Sequence, residues 1–356
     1  MEKIDFKSIQ VKVVLWVGIS IIVGASFIIG YSAVTRRSRS IEAAERYSVA
    51  LAQKEAEVIT NELNTAMDAA RTMADALRAV KEEDIQLSRG QVNGMLKQIL
   101  VENPDFLGVY TLWEPDQFDA LDAEYANQDG HDETGRFIPY WARDGSGNII
   151  MEPLAGYETE GIGDWYLCPK NSGQECIQDP FLYPIQGVDV LMTSLTVPIM
   201  VDGQFLGIVG VDLSLDFLQE VADSIDAYQG EAQLALISNN GTLSGVTERP
   251  ELVGEGADAL SAGFGERAQL VKNGEGYVEM GEEHLEIYQP ILIGQTDTPW
   301  SVNLMIPSQL ITAEANATMW KMIGLAGVAA VLALVAVWFI AKQITEPIET
   351  IARGAY

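Results

Sequence analysis

The chain has 356 residues with 51 acidic against 22 basic side chains, a net charge of −29. A surface that acidic argues against nucleic acid, itself a polyanion, as a partner. With His131 and His284 as its two histidines, it also has little material for a histidine-rich metal site or a Ser-His-Asp triad.

Residues 1–12 form a short tail of mixed charge. Val13 to Val34 carries no charged residue, and a bilayer crossing takes roughly 20 apolar residues, so 13–35 is expected to be a transmembrane helix. A cleaved signal peptide is the alternative, but its apolar core is shorter, roughly 7–15 residues. The helix continues well beyond the span. No Gly or Pro falls between Tyr31 and Arg89, and Val58, Leu63, Met67, Ala70, Met73 and Leu77 recur at mostly three- to four-residue steps, the amphipathic period, to about Lys81. At ~1.5 Å per residue the part beyond the membrane reaches roughly 65 Å, so more than one packed unit must cover it.

Gln86 to Val101 reads as a second helix through Val92, Met95, Leu96, Ile99 and Leu100, ended by Asn103-Pro104-Asp105. Phe106 to Trp113 has strand composition, and Glu114 to Gly135 has loop composition. Phe137 to Trp141 and Ile149 to Met151 flank the turn Asp144-Gly145-Ser146-Gly147 as a hairpin. Cys168 and Cys176 lie in a loop-like stretch, either as a disulfide in an oxidising compartment or as two free thiols. Val188 to Ile199 and Phe205 to Val211 are strands joined by Val201-Asp202-Gly203-Gln204. These elements make an antiparallel sheet with helices, an α+β arrangement.

A smaller unit repeats the pattern with Gln233–Ser238, the turn Asn239-Asn240-Gly241, a helical piece near Asp258–Leu260, then Gly276–Met280, His284–Ile293 and Trp300–Leu304. Pro290 implies that the His284 strand is an edge or is broken there. Ser308 to Met319 leads helically into a second uncharged stretch, Met322 to Ala341, with Trp320 and Trp338 near its ends where aromatic side chains favour the membrane interface.

This order of span, long helix, two sheet modules and span resembles the double Cache sensors of bacterial transmembrane receptors, in particular of methyl-accepting chemotaxis proteins. The residues that carry the resemblance are Leu107-Gly108-Val109-Tyr110, Gly135-Arg136-Phe137-Ile138-Pro139-Tyr140-Trp141, Asp164-Trp165-Tyr166, Gly207-Ile208-Val209-Gly210-Val211-Asp212-Leu213 and Thr298-Pro299-Trp300. Ile344-Thr345-Glu346-Pro347-Ile348 looks like the start of a HAMP linker. The resemblance implies a cytoplasmic tail at 1–12, a first span at 13–35, a sensor at 36–318, a second span at 319–341 and a linker from 342 to 356. Within the sensor, 36–224 would hold the long helix and membrane-distal module, and 225–312 the membrane-proximal module. It also implies an inner-membrane location with the sensor in the periplasm, a homodimer in contact along the long helix, and a coupling protein and kinase downstream.

Enzymatic constellations are nearly absent. Asp129 and Gly130 superficially suggest a calcium loop, but its first and last positions would be Tyr125 and Arg136, neither a calcium ligand. Gly254-Glu255-Gly256 opens no nucleotide-binding βαβ unit. No enzyme activity, metal or cofactor is expected. A small-molecule pocket fits better: Trp113, Tyr140, Trp141, Trp165, Tyr166, Phe181 and Tyr183 all fall in the first module. Core packing is the competing explanation for each aromatic. Asp164 and Asp212 need a partner or a cationic ligand, although Asp212 could instead cap the turn before Leu215.

Amino-acid-binding members of the resembled family place an Arg two residues before the Trp-Tyr pair, then a Tyr-x-Asp and a later Asp. Here Trp165, Tyr166 and Asp212 match, the Arg position is Gly163, and the Tyr-x-Asp place reads Phe181-Leu182-Tyr183. Without the bidentate carboxylate donor an α-amino acid loses its best anchor. The expected ligand is therefore a planar nitrogen heterocycle such as a purine, with a small organic cation held by Asp212 as the alternative. The same kind of sensor also feeds histidine kinases and diguanylate cyclases, and the output domain would lie beyond the linker.

Overall fold

A computed structural model describes residues 9–128, 130–224, 228–260 and 263–354. The first eight residues of the expected tail, Asp129 of the rejected calcium loop and the last two residues of the expected linker lie outside the described residues. The chain divides into two units, residues 48–307 and residues 1–47 with 308–356.

Residues 48–307 are built on the second part of helix α1 (Ile9–Glu82). Its buried stripe, Ile59, Leu63, Met67, Ala70 and Leu77, follows the helical period, whereas Val58 is exposed. Helix α2 (Arg89–Glu102) starts three residues later than composition suggests, because Ser88 caps it. The Ser88 hydroxyl accepts the Gln91 N–H while the Gln91 side chain accepts the Ser88 N–H, a reciprocal capping box.

The first sheet follows. Strand β1 (Gly108–Trp113) is linked through a long loop with one short helix, α3 (Asp122–Tyr125), to β2 (Pro139–Arg143) and β3 (Ile149–Pro153). Helix α4 (Asp164–Ser172), β4 (Cys176–Ile177) and β5 (Phe181–Ile185) come next, then the long hairpin β6 (Val188–Val201) and β7 (Gln204–Ser214). The order is β3-β2-β1-β7-β6-β4, with β5 also paired to β6 and every pair antiparallel. Asp202 and Gly203 both take positive φ, 50° and 77°, as a tight hairpin turn demands.

One buried side chain orders the loop between β1 and β2. The Arg89 guanidinium donates to both oxygens of Asp119 at 2.9 and 2.8 Å, to Asp122 at 2.7 Å and to the Gly135 carbonyl at 2.7 Å. It also lies 4.1 Å over the Tyr125 ring.

Helix α4 was not legible as a helix, since Pro169 and the glycines around it read as loop. It begins after Gly163 and ends where Gly173 turns left-handed and donates to the Pro169 carbonyl. A disulfide between Cys168 and Cys176 ties this helix to β4. Replacing both cysteines by serine opens a loop of sequence separation 8 and is expected to cost about 2–3 kcal/mol of stability by loop-closure entropy. Urea unfolding with and without reductant measures this, and an unchanged midpoint would show that packing alone holds α4.

Helix α5 (Leu215–Asp223) is capped by Ser214, whose hydroxyl accepts the Phe217 N–H at 3.2 Å. Asp212 is therefore not the cap, and its carboxylate is free for another role. The second sheet comprises β8 (Gln233–Ile237), β9 (Leu243–Val246), β10 (Tyr277–Met280), β11 (His284–Ile291) and β12 (Trp300–Pro307), with α6 (Phe264–Asn273) between β9 and β10. Its order is β10-β11-β12-β8-β9. Strand β11 runs unbroken through Pro290, which pairs with Ser301 on one side while β10 reaches only as far as Tyr288 on the other. The proline thus sits where the strand is locally an edge and its missing N–H costs no ladder bond. Each sheet has its own apolar core, one around Tyr110, Tyr140 and Trp165 and one around Ile237, Leu243 and Phe264.

The other unit pairs the first part of α1 with α7 (Ser308–Gly354), and each helix holds a stretch long and apolar enough to cross a membrane. Trp16, Phe27, Ile28, Leu325 and Leu332 are exposed, an outward apolar surface of the kind that faces lipid. The Arg37 Nε donates to the Asn316 amide oxygen at 2.8 Å and ties the two helices together.

Candidate ligand-binding site

The site forms on one face of the first sheet, where alternate residues of neighbouring strands meet. Asp212 on β7 lies opposite Ser194 on β6 and Gly108 on β1. Two glycines make room for the rings that surround it. A Cβ at Gly108 would stand 2.4 Å from Tyr140 Cε2, and one at Gly210 would stand 2.1 Å from Tyr110 Cζ. Tyr140 and Tyr110 therefore lie flat across the strands. Trp165 on α4 closes the site from above, edge-on to Tyr110 with centroids 5.3 Å apart and edge-on to Tyr183 at 6.2 Å. Edge-to-face pairs of this kind contribute about 0.5–1.5 kcal/mol beyond their buried area.

The polar groups form a short chain. The Ser194 hydroxyl donates to the Asp212 carboxylate, so the Tyr110 hydroxyl, 2.9 Å from Ser194 Oγ, donates to the serine. The Tyr183 hydroxyl accepts the Ala155 N–H at 2.9 Å. The Tyr140 hydroxyl interacts with the Asp212 carboxylate, whereas the Trp165 Nε1–H is buried without a partner. Burial pushes the Asp212 carboxyl up to about 7 against the opposing pull of the Ser194 and Tyr140 hydroxyls. Burial, and then the charge of Asp212, push the Tyr110 and Tyr140 hydroxyls well above their ordinary value.

Tyr110, Leu154, Trp165, Phe181, Tyr183, Met192, Ser194 and Asp212 line a small cavity. At about 10 Å³ it has room for at most one water. Phe181 is the one lining residue that is not fully buried, so it marks the way in. The lining contains a carboxylate and no lysine or arginine. A buried carboxylate without a cation is unstable unless a ligand supplies one or a proton neutralises it.

Of the residues expected from sequence, Tyr140, Trp165, Phe181, Tyr183 and Asp212 are brought together here. Four others are not. Tyr110 faces the site, so Trp113, an odd number of positions along β1, faces away and packs edge-on to Phe118 at 5.1 Å. Trp141 follows Tyr140 and also points to the opposite face, where its Nε1 donates to Asn93 at 3.0 Å. Asp164 sits at the start of α4, half-exposed, and accepts the Gly161 N–H at 2.9 Å. Tyr166 is buried one helical step from Trp165, and its hydroxyl turns to Glu114, Lys170 and Arg136. Gly163, the position of the missing arginine, admits no side chain at all, since a Cβ there would lie 2.5 Å from the Tyr157 carbonyl oxygen.

Tyr110, Leu154, Met192 and Ser194 were missed. Tyr110 carries a period-two signal on β1. Ser194 was hidden by a bulge: counting back from the pair Val201 and Gln204 puts Thr193 opposite Asp212, and the register shift between Ile199 and Met200 substitutes Ser194.

Residues 92–220 match the family model described as methyl-accepting chemotaxis protein-like, first PDC sensor domain. The chain is similar to the methyl-accepting chemotaxis protein TlpQ of Pseudomonas aeruginosa, with 29% identity over 289 residues, 74% of this chain and 40% of that one. It thus spans less than half the length of that curated relative. Among solved structures, the extracellular domain of the putative histidine kinase mmHK1S-Z3 is similar with a TM-score of 0.68 and 28% identity, covering 77% of this chain and 98% of that one. A structure described as methyl-accepting chemotaxis protein X is similar with a TM-score of 0.57 and 26% identity, covering 74% and 98%.

Proposed function

We propose, for a chain that carries the double Cache sensor of a methyl-accepting chemotaxis protein, that the cavity around Asp212 is its signal site and that the signal is a small organic cation. The observation that carries this reading is the buried Asp212 carboxylate, walled by aromatic faces with no basic side chain among them. An ammonium group would pair with the carboxylate and lie against Trp165, Tyr110 and Tyr183. Cation–π contacts of about 2 kcal/mol are typical in such desolvated places. An α-amino acid would bring a carboxylate for which Gly163 leaves no donor.

A planar nitrogen heterocycle such as a purine is the second reading. The Trp165 Nε1–H, buried without a partner, favours it, because a ring nitrogen would accept from it. Either ligand requires the cavity to open beyond its present size, and a bicyclic ring requires it more than a small ammonium does.

The receptor is anchored in the inner membrane with the sensor in the periplasm and both chain ends in the cytoplasm. Ligand binding biases a two-state equilibrium of the first module, and the change leaves through β12 into α7, whose last turns hold the linker from residue 342. The active form is a homodimer, and a coupling protein and kinase read it out. A histidine-kinase output is the alternative, supported by the likeness to a kinase extracellular domain.

A thermal-shift screen of the full chain in nanodiscs against amines, purines, amino acids and organic acids tests the ligand class. A ligand that binds only the folded state raises its melting temperature. Amines are expected to do so; a rise with purines alone favours the second reading, and a rise with α-amino acids contradicts both.

A further inference from the structure

Helix α4, which places Trp165 in the cavity, continues one turn to Cys168, and the disulfide carries it on to Cys176. The residue before that cysteine, Glu175, is where three parts of residues 48–307 meet. Its carboxylate accepts both Nε and Nη2 of Arg71 on α1, the latter at 2.8 Å, and its Oε2 also accepts the backbone N–H of Gln295 at 2.8 Å. Gln295 lies in the loop between β11 and β12. Its neighbour Gly294 donates its N–H to Asn64 of α1 at 2.8 Å, and a Cβ there would stand 2.5 Å from Glu175 Oε2. The Glu175 side chain is 9% exposed.

We propose that Glu175 is the joint through which the state of the Asp212 cavity reaches the second sheet: it clamps the disulfide-tethered end of α4 to Arg71 on α1 and to the loop that opens β12. This rests on the cavity being the signal site. A bidentate carboxylate–guanidinium pair holds its geometry within narrow limits. A shift of α4 passed on by the disulfide must therefore drag Arg71 and Gln295 or break from them, and a coupling of that kind has two discrete arrangements. Strand β12 runs directly into α7. A second bridge joins the same two sheets, with Asp179 accepting the Asn240 N–H at 3.1 Å, and among the described residues no hydrogen bond ties that pair to α1. It serves as a control.

The test is hydrogen–deuterium exchange of the amides at 294–296 in the full chain in nanodiscs, with n-butylammonium as the probe and calorimetry to measure its binding. In the wild type, saturating probe is expected to change exchange at these amides severalfold. Glu175→Gln and Arg71→Gln, which break the clamp from opposite sides, should bind the probe within about twofold of wild type yet lose the change, while Asp179→Asn should keep it. Unaltered transmission in Glu175→Gln and Arg71→Gln overturns the proposal. If the probe does not bind the wild type, the cation reading has failed, and the joint is then tested by Asp212→Asn. That substitution should alter exchange at 294–296 when Glu175 is present and not in Glu175→Gln; equal effects in both, or none in either, overturn the proposal.

Discussion

Asp212→Asn is expected to abolish binding of a small ammonium ligand while making the unliganded protein more stable at pH 8. Truncating one partner of a buried, hydrogen-bonded charge pair costs about 2–5 kcal/mol, so affinity should fall about 30-fold to several thousandfold. The gain in stability follows from the sign of the shift. The Asp212 carboxyl sits at about 7 in the folded protein and at about 3.9 in an unfolded chain. Between those values the folded state holds a proton that the unfolded state has released, so stability falls as pH rises from about 4 to about 7 and stays lowered above. Asparagine carries no such penalty. The two proteins should therefore be about equally stable near pH 4 and differ by on the order of a few kcal/mol at pH 8, as urea unfolding at the two pH values would show. A mutant less stable than wild type at pH 8 would mean that the carboxylate already has a cationic partner.

Arg89→Ala is expected to cost about 3–5 kcal/mol of stability, the usual penalty for removing one side of a buried ion pair. Arg89 is 4% exposed, and its loss strands the Asp119 and Asp122 carboxylates and the Gly135 carbonyl together. Burial pushes the Asp119 carboxyl up, but the hydrogen bond and charge of Arg89 overcome that and hold it below its ordinary value. For such a carboxylate the stabilisation is present above its unfolded pKa and is lost as pH falls through the folded one. The mutant should accordingly lose less stability than wild type on acidification from pH 5 downward. Lysine should restore only part of the loss, because a point charge cannot grip Asp119 with two nitrogens while reaching Asp122 and Gly135. Urea midpoints at pH 7 and pH 4 measure both effects, and a midpoint unchanged at pH 7 would show that the loop is held without Arg89.

The two long apolar helical stretches, the amphipathic part of α1 and both antiparallel sheets were legible because each rests on a repeating pattern of apolar residues. Helix α4 was not, since Pro169 and its glycine borders outweigh nine residues of weak periodicity and the helix is held by the disulfide and by Trp165 packing on the sheet. In the site, residue types were readable and directions were not. Trp113 and Trp141 are as aromatic as Tyr110 and Tyr140, and only strand alternation, fixed by the register of β1 with β2, sends one pair to the Asp212 face of the sheet and the other away. The isolation of Asp212 was equally hidden. A sequence shows a carboxylate near the end of an apolar strand, but the absence of a basic neighbour depends on which strands flank it.

A calorimetric titration of the full chain in nanodiscs with n-butylammonium at pH 6 and pH 8, alongside uncharged n-butanol, tests the assignment of Asp212 most directly. A cavity built around an ionisable carboxylate predicts that the ammonium binds, that it binds more tightly at pH 8 than at pH 6, where the carboxyl is mostly protonated, and that the alcohol does not bind. Equal binding of ammonium and alcohol, or an affinity that does not change between the two pH values, would contradict it.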